Sequence, residues 1–294
     1  MKKYFLFLFV ILLSISIVSA DDCSITNLGG CLAQKFFEFL LAIINAPIQP
    51  LLDATYSLMT EPVNTSIFSE IWGMIVYILS MFYGLLLMYV GFRFILSGHS
   101  PEQREKAKSM LANIIIMMVL VQSSYTLYSL IIDVNSAVTT VIFNMIKPDF
   151  FLLTIDNVSN IGLELVFSIP YLLGILFTLV ILVLRYIIVS SGIILFAIGI
   201  FFYFIEPLNN YGKLILEYLI ATIATTFFYS LIFLVSSKLL EIDSFQNIKI
   251  LVMIGAFTFV NLATVIILLF IIVKTALKVA KPVREVTNLV GMVA

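Results

Sequence analysis

The chain has 294 residues, of which 62% are hydrophobic and 11% charged, with a mean hydropathy of +1.16. That balance excludes a soluble globular protein and fits a polytopic membrane protein. A net charge of −1 and a pI of about 5.9 leave no basic footprint for nucleic acid; if the protein handles DNA at all, it does so as part of a pore or scaffold and not through a basic groove of its own.

Met1 to Ala20 has the features of a signal peptide: Lys2 and Lys3, an apolar run from Tyr4 to Ile17, and the small-residue cleavage site Val18-Ser19-Ala20. The segment 21–69 then starts outside the cell. It holds the two cysteines of the chain, Cys23 and Cys31, separated by Gly29-Gly30, and an exterior compartment favours a disulfide between them. Two cysteines without a nearby histidine do not make a metal site. Ala33 to Thr60 is apolar but interrupted by Lys35, Glu38, Pro47, Pro50 and Asp53. An amphipathic helix on the outer membrane face fits it better than a span, and a helix packed on the bundle is the alternative. Trp72 falls where the chain re-enters the membrane, as an interface anchor.

Residues 70–132 form the organising unit. Two apolar runs, Ile71–Leu96 and Ser109–Ile132, flank the charged loop Ser97–Lys108. Each run exceeds the ~20 residues that cross a ~30 Å hydrocarbon core as a helix, and backbone groups in lipid must bond internally. The unit is therefore a transmembrane hairpin. Arg93, Arg104, Lys106 and Lys108 place its tip in the cytoplasm. Ser100-Pro101-Glu102 has the residue types that start a helix. Gln122, Ser123, Ser124 and Thr126 are polar at membrane depth and suit interhelical hydrogen bonds more than pore lining. His99, the single histidine, belongs to the solvated loop.

Residues 133–162 return outside, with a short interfacial helix over 134–146. Residues 163–273 make a C-terminal bundle. Its first stretch, Leu163–Ile205, carries Glu164 at its very start and then a single charge, Arg185, and is about twice as long as a bilayer requires. Length argues for two spans turning near Arg185 or Ser190-Ser191-Gly192, giving six spans in all. The positive-inside bias argues for five, with a cytoplasmic tail and nine Lys/Arg inside against four outside. A broken or re-entrant segment around Arg185 reconciles the two. Further spans follow over Leu214–Ser237 and Ile250–Val273. The fold class is thus an all-α polytopic transmembrane bundle of five to six spans after a signal peptide, with short interfacial helices.

Arg185 is the intramembrane charge candidate, with Glu206 and Glu217 as potential partners; the alternative places it at a cytoplasmic hairpin tip. Asn261 suits a helix–helix contact. The tail 274–294 is basic through Lys274, Lys278, Lys281 and Arg284. Nothing in the sequence has the pattern of a nucleotide loop, a metal cluster or a nucleophile–base pair, so the expectation is a non-enzyme without a cofactor.

Tyr89–Ile132, with its glycine-bearing first helix, Ser-Gly-x-x-Pro-Glu-like loop, basic residues and second apolar helix, resembles the hairpin of type IV secretion membrane proteins. These include TrbC-type pilins and the polytopic TrbL-type inner-membrane subunit. Leu184–Leu219, an Arg followed by an apolar run, a Pro-containing turn and another span, resembles the core of the polytopic subunit and of archaeal DNA-exchange membrane proteins. The proline expected near Ala197 in such relatives is missing. The resemblance implies a platform or conduit subunit of a DNA- or protein-translocating machine in the cell membrane. It also implies a homo-oligomeric habit, a pilin-like small membrane subunit and a cytoplasmic secretion ATPase as neighbours. Arg104, Lys106, Lys108 and the tail residues Lys274, Lys278, Lys281 and Arg284 become docking candidates by their charge. A small-solute transporter using Arg185 and a scaffold without a conduit are the alternatives.

Overall fold

The computed structural model describes residues 28–153, 161–246 and 248–293. Two compact units partition the chain at Ile43/Ile44. Seven helices of twenty residues or more appear among the described residues: α1 (Leu28–Thr60), α2 (Ser69–Leu96), α3 (Pro101–Gln122), α4 (Ser124–Phe143), α5 (Ile161–Phe204), α6 (Asn209–Leu239) and α7 (Lys249–Val293). Among the described residues five candidate spans are long and apolar enough to cross a membrane: Ser66–Leu96, Ser124–Phe143, Val166–Phe204, Glu206–Leu239 and Lys249–Ile267. The protein is an all-α, multi-pass membrane bundle.

The hairpin holds together through a seven-residue repeat. Val76, Tyr83 and Val90 of α2 are buried, as are Ala107, Ile114 and Val121 of α3. A 3.5-residue period keeps one seam facing the partner helix, the geometry of knobs-into-holes packing. Ser100 takes the N-cap position of α3 with extended backbone, followed by Pro101 and Glu102, but its hydroxyl makes no capping bond. Lys106 pairs with Glu102 one turn away at 2.8 Å, and Arg93 folds back onto Tyr89.

The second arm does not end at Ile132. It continues as α4 to Phe143, through Asp133. The junction at Ser123 interrupts the helix only slightly. The Ser123 N–H still bonds the Val119 carbonyl and the Leu127 N–H bonds that of Ser123, both at 3.0 Å, while the Ser123 hydroxyl also donates to Val119. Such back-bonding by serine bends helices without breaking them. Ser124 is buried and accepts a hydrogen bond from Trp72 Nε1 at 2.9 Å, and Trp72 meets Tyr125 edge-on. This part of the polar cluster therefore ties the hairpin arms together, while Gln122 and Thr126 are exposed.

The break expected within Leu163–Ile205 is absent. Helix α5 is one unbroken helix of 44 residues, with Pro170 inside and Arg185, Ser190 and Gly192 in regular turns. Its inward face is Tyr171, Ile175, Thr178, Leu182, Arg185, Val189, Ile193 and Phe196, all buried. This spacing of three and four keeps a single stripe facing the neighbouring helices, so continuity is favoured over a turn. Helix α6 packs antiparallel along α5, α7 packs on both, and α4 lies against α6. The α5–α6 elbow closes tightly at Gly199 and Gly212, where backbone meets backbone.

The hairpin is offset along α5. Asn64, just before α2, donates its N–H to the Tyr186 hydroxyl and accepts from Ser190 Oγ, so α2 starts level with the middle of α5. Farther along, Phe201 near the end of α5 lies 6.4 Å from Tyr83. Helix α2 then runs on to Leu96, ~20 Å beyond that level at 1.5 Å per residue. Glu164 and Arg185 of α5 and Glu206 just beyond its end mark two consecutive apolar lengths, each ~32 Å at the rise of a helix and each enough for a hydrocarbon core.

At the end of the bundle near Phe143, aromatic rings lock the loop before residue 154. Phe151 stacks on Phe143 at 5.7 Å and meets Phe233 at 5.5 Å, Phe233 meets Phe257 at 4.9 Å, and the Tyr171 hydroxyl bonds the Phe151 carbonyl. The final turns of α1 pack here too, through Asn45 to the Leu153 carbonyl and Tyr56 against Phe143. From residue 44 onward α1 thus follows the packed-helix alternative, with Ile48 and Met59 buried.

Glu241, outside the spans, lies 2.9 Å from Lys238 and 3.2 Å from Lys147. Hydrogen bonds from these two ammonium groups hold its carboxyl pKa below the ordinary 4.5. A depressed folded-state pKa contributes stability at higher pH that is lost as pH falls through it. The melting temperature of the wild type should therefore drop more than that of Glu241→Gln below about pH 4.5, a small difference that vanishes in high salt.

Candidate functional site

Arg185 lies where α4, α5 and α6 meet and is 7% exposed. Its Nε donates to the Thr222 carbonyl and Thr225 Oγ1, both at 3.1 Å. Its Nη2 donates to the Ile223 carbonyl at 2.8 Å and Thr226 Oγ1 at 3.1 Å. The planar fork of a guanidinium suits this array of acceptors on one helix face, which an ammonium would not span. Thr226 Oγ1 also accepts from Asn135 of α4 at 2.9 Å. Around it, the Tyr128 hydroxyl donates to the Val189 carbonyl at 2.7 Å, and the Tyr229 hydroxyl is hydrogen-bonded to Thr264 of α7.

Among the described residues no carboxylate is within ion-pair distance of Arg185. Glu217, one of its expected partners, is paired with Lys274 instead, and Glu206 begins the elbow after α5. The charge is held by backbone and hydroxyl dipoles alone. A buried cation without a counter-ion is costly in hydrocarbon and is kept in membrane proteins where it does something. Chemically it offers a fixed positive charge to an anionic group or to the membrane field.

The other expected residues are scattered. Arg104, Lys106 and Lys108 are exposed near the hairpin tip, away from Arg185. Asn261 bonds α7 to α5, accepting from Thr178 at 3.0 Å. Cys23 and the side chains of Cys31, His99, Lys278, Lys281 and Arg284 lie outside the described residues, and so does the disulfide expected between the cysteines. Among the described residues no group of three or more His, Cys, Asp or Glu side chains could hold a metal.

The hydroxyls around Arg185 were not singled out from the sequence. Their signal is the buried stripe of α6, where Thr226, Ser230 and Ser237 alternate with Ile223 and Phe233 at spacings of three and four. Small polar residues in such a stripe mark a helix–helix seam rather than a lipid face.

No curated protein and no solved structure matches the chain. Residues 60–131 match the family model described as type IV secretion system pilin. The match covers α2, α3 and the first turns of α4, and it leaves Arg185 and α5 to α7 outside. Over these residues the hairpin that organises this chain is similar to the type IV secretion system pilin family, and the match supports involvement in a type IV secretion system.

Proposed function

We propose that the protein is a non-enzymatic platform or conduit subunit of a secretion- or conjugation-like machine that moves DNA or protein across the cytoplasmic membrane. The carrying observation is the joining, in one chain, of a pilin-type hairpin to a bundle with a buried, uncompensated arginine. In this reading the hairpin tip and the basic tail face the cytoplasm. The pilin-like small subunit packs beside α2 and α3, the secretion ATPase meets the tip, and several copies of the chain surround the path of the cargo.

The odd number of candidate spans among the described residues supports the orientation, because five crossings put the start of α2 and the end of α7 on opposite sides. It also puts the tip, the elbow and the tail on one side, the side rich in Lys and Arg. Charge reversal at Arg104, Lys106 and Lys108 tests the docking role. All three are exposed, so the triple change to Glu should leave helicity intact. The ATPase recovered with the tagged protein from cells should fall several-fold, and undiminished recovery would remove the tip from the interface.

A solute transporter is the second reading, favoured by the same buried arginine. Specific uptake of a small anion by proteoliposomes containing this chain alone would support it over the machine subunit.

A further inference from the structure

The turn between α1 and α2 carries the tripeptide Asn64-Thr65-Ser66. Asn-x-Ser, with x other than proline, is the acceptor pattern for an N-linked sugar, and such tripeptides also arise by chance. What the fold does with this one sets it apart. Side chains alternate along the turn, with Val63 and Thr65 buried and Asn64 and Ser66 exposed. The backbone of Asn64 is pinned to α5, its N–H donating to the Tyr186 hydroxyl at 3.3 Å and its carbonyl accepting from Ser190 Oγ at 2.7 Å. The second tripeptide of this kind, Asn157-Val158-Ser159, lies outside the described residues.

The side-chain amide of Asn64 is polarised from one end. Its Oδ1 accepts from the Ser66 N–H at 2.9 Å and from the Ser66 hydroxyl at 2.6 Å. Nδ2 makes no hydrogen bond to a described residue. An amide nitrogen is a poor nucleophile, because its lone pair is spread into the carbonyl. Two donors on Oδ1 stabilise the negative charge that collects there as Nδ2 loses a proton. Beside Asn64 opens a crevice of about 310 Å³, with Tyr125 as an apolar wall and Ser66, Ser129 and Asp133 as polar edges. It offers a sugar ring both a flat face and hydroxyl partners. Glu61, Glu70 and Asp133 are exposed around the turn. Carboxylates are costly in hydrocarbon, so this level of the molecule is wet.

We propose that Asn64 is a glycosylation site, modified on the exterior face of the membrane from a lipid-linked oligosaccharide donor. In the transfer Nδ2 bonds to C1 of the first sugar as the bond from C1 to the donor's phosphate oxygen breaks. The lipid phosphate leaves with the electron pair, and the Nδ2 proton passes to the transferase. The proposal rests on the orientation given above, which puts the start of α2 outside.

The test weighs the full-length protein, purified from its natural cells, by mass spectrometry and fragments the peptide that holds Asn64. The wild type should carry one oligosaccharide at that residue. Ser66→Ala should remove it, and Ser66→Thr, which keeps the hydroxyl, should retain it. A wild-type chain with no sugar on Asn64 overturns the proposal, as does a sugar there that survives Ser66→Ala. Orientation is read separately in intact cells, with an impermeant thiol reagent on Glu61→Cys in a chain whose Cys23 and Cys31 are changed to Ser. Labelling of a chain that bears no sugar overturns the glycan and leaves the orientation standing. A chain with neither label nor sugar overturns both.

Discussion

Arg185→Met should leave a folded bundle and, on the function proposed above, a crippled machine. The substitution removes a desolvated charge, which costs several kcal/mol to bury, and supplies an unbranched apolar chain of similar length. The acceptors left behind are not stranded. Thr225 Oγ1 already donates to the Thr222 carbonyl at 2.7 Å, Thr226 Oγ1 keeps its donor Asn135, and the two carbonyls belong to a continuous helix. Stability should therefore change by no more than ~2 kcal/mol in either direction. On the proposed function, cargo transfer by cells carrying the variant should fall at least ~10-fold, because among the described residues no other buried cation replaces the fixed charge. Arg185→Lys should rescue transfer only in part, since a single ammonium cannot fork across Thr222, Ile223, Thr225 and Thr226. Normal transfer by the methionine variant would reduce Arg185 to a packing residue. Loss of folding would make it a structural pin.

Gly212→Ala should unfold the elbow. A Cβ at Gly212 would meet the backbone nitrogen of Tyr203 and lie 2.7 Å from the Gly199 carbonyl oxygen. Both are main-chain atoms of α5, so neither can rotate away. Alanine gains ~1 kcal/mol over glycine in a helix interior, but separating two close-packed backbones costs ~3 kcal/mol or more, and the steric term wins. The variant should melt well below the wild type and lose the α5–α6 contact, measured as cross-linking between cysteines on the two helices. Gly73→Ala and Gly255→Ala are the internal controls. A Cβ at either meets nothing within 4 Å, so both should stabilise by ~0.5–1 kcal/mol.

The hairpin was legible in the sequence because its signals are local: two runs of bilayer length, a charged loop between them, and Pro101 at a helix start. The stop at Ile132 was misplaced because Asp133 resembles a membrane exit, whereas the structure carries it on an exposed face of a helix that continues. The single course of α5 was hidden by the length rule, which treats an apolar stretch as long as Leu163–Ile205 as two crossings. The competing signal was in the sequence too: from Tyr171 to Phe196 every third or fourth residue faces inward, and a turn near Arg185 would scramble that stripe. Arg185 falls on the stripe, which is why it is buried. Its acceptors were harder to foresee, because two of the four are backbone carbonyls, and every residue has one.

The offset between the hairpin and the rest of the bundle sets a limit on what lipid alone can do. A hydrocarbon slab ~30 Å thick wets one storey of this molecule, either the level from Glu164 to Arg185 or the level from Arg185 to Glu206. Met74, Met81, Met88 and Phe92 face outward on the upper storey, and Val166, Leu173, Phe177 and Val180 on the lower. Whichever storey a flat membrane takes, the apolar side chains exposed on the other lie beyond the hydrocarbon, a surface of the kind that marks contact with another protein.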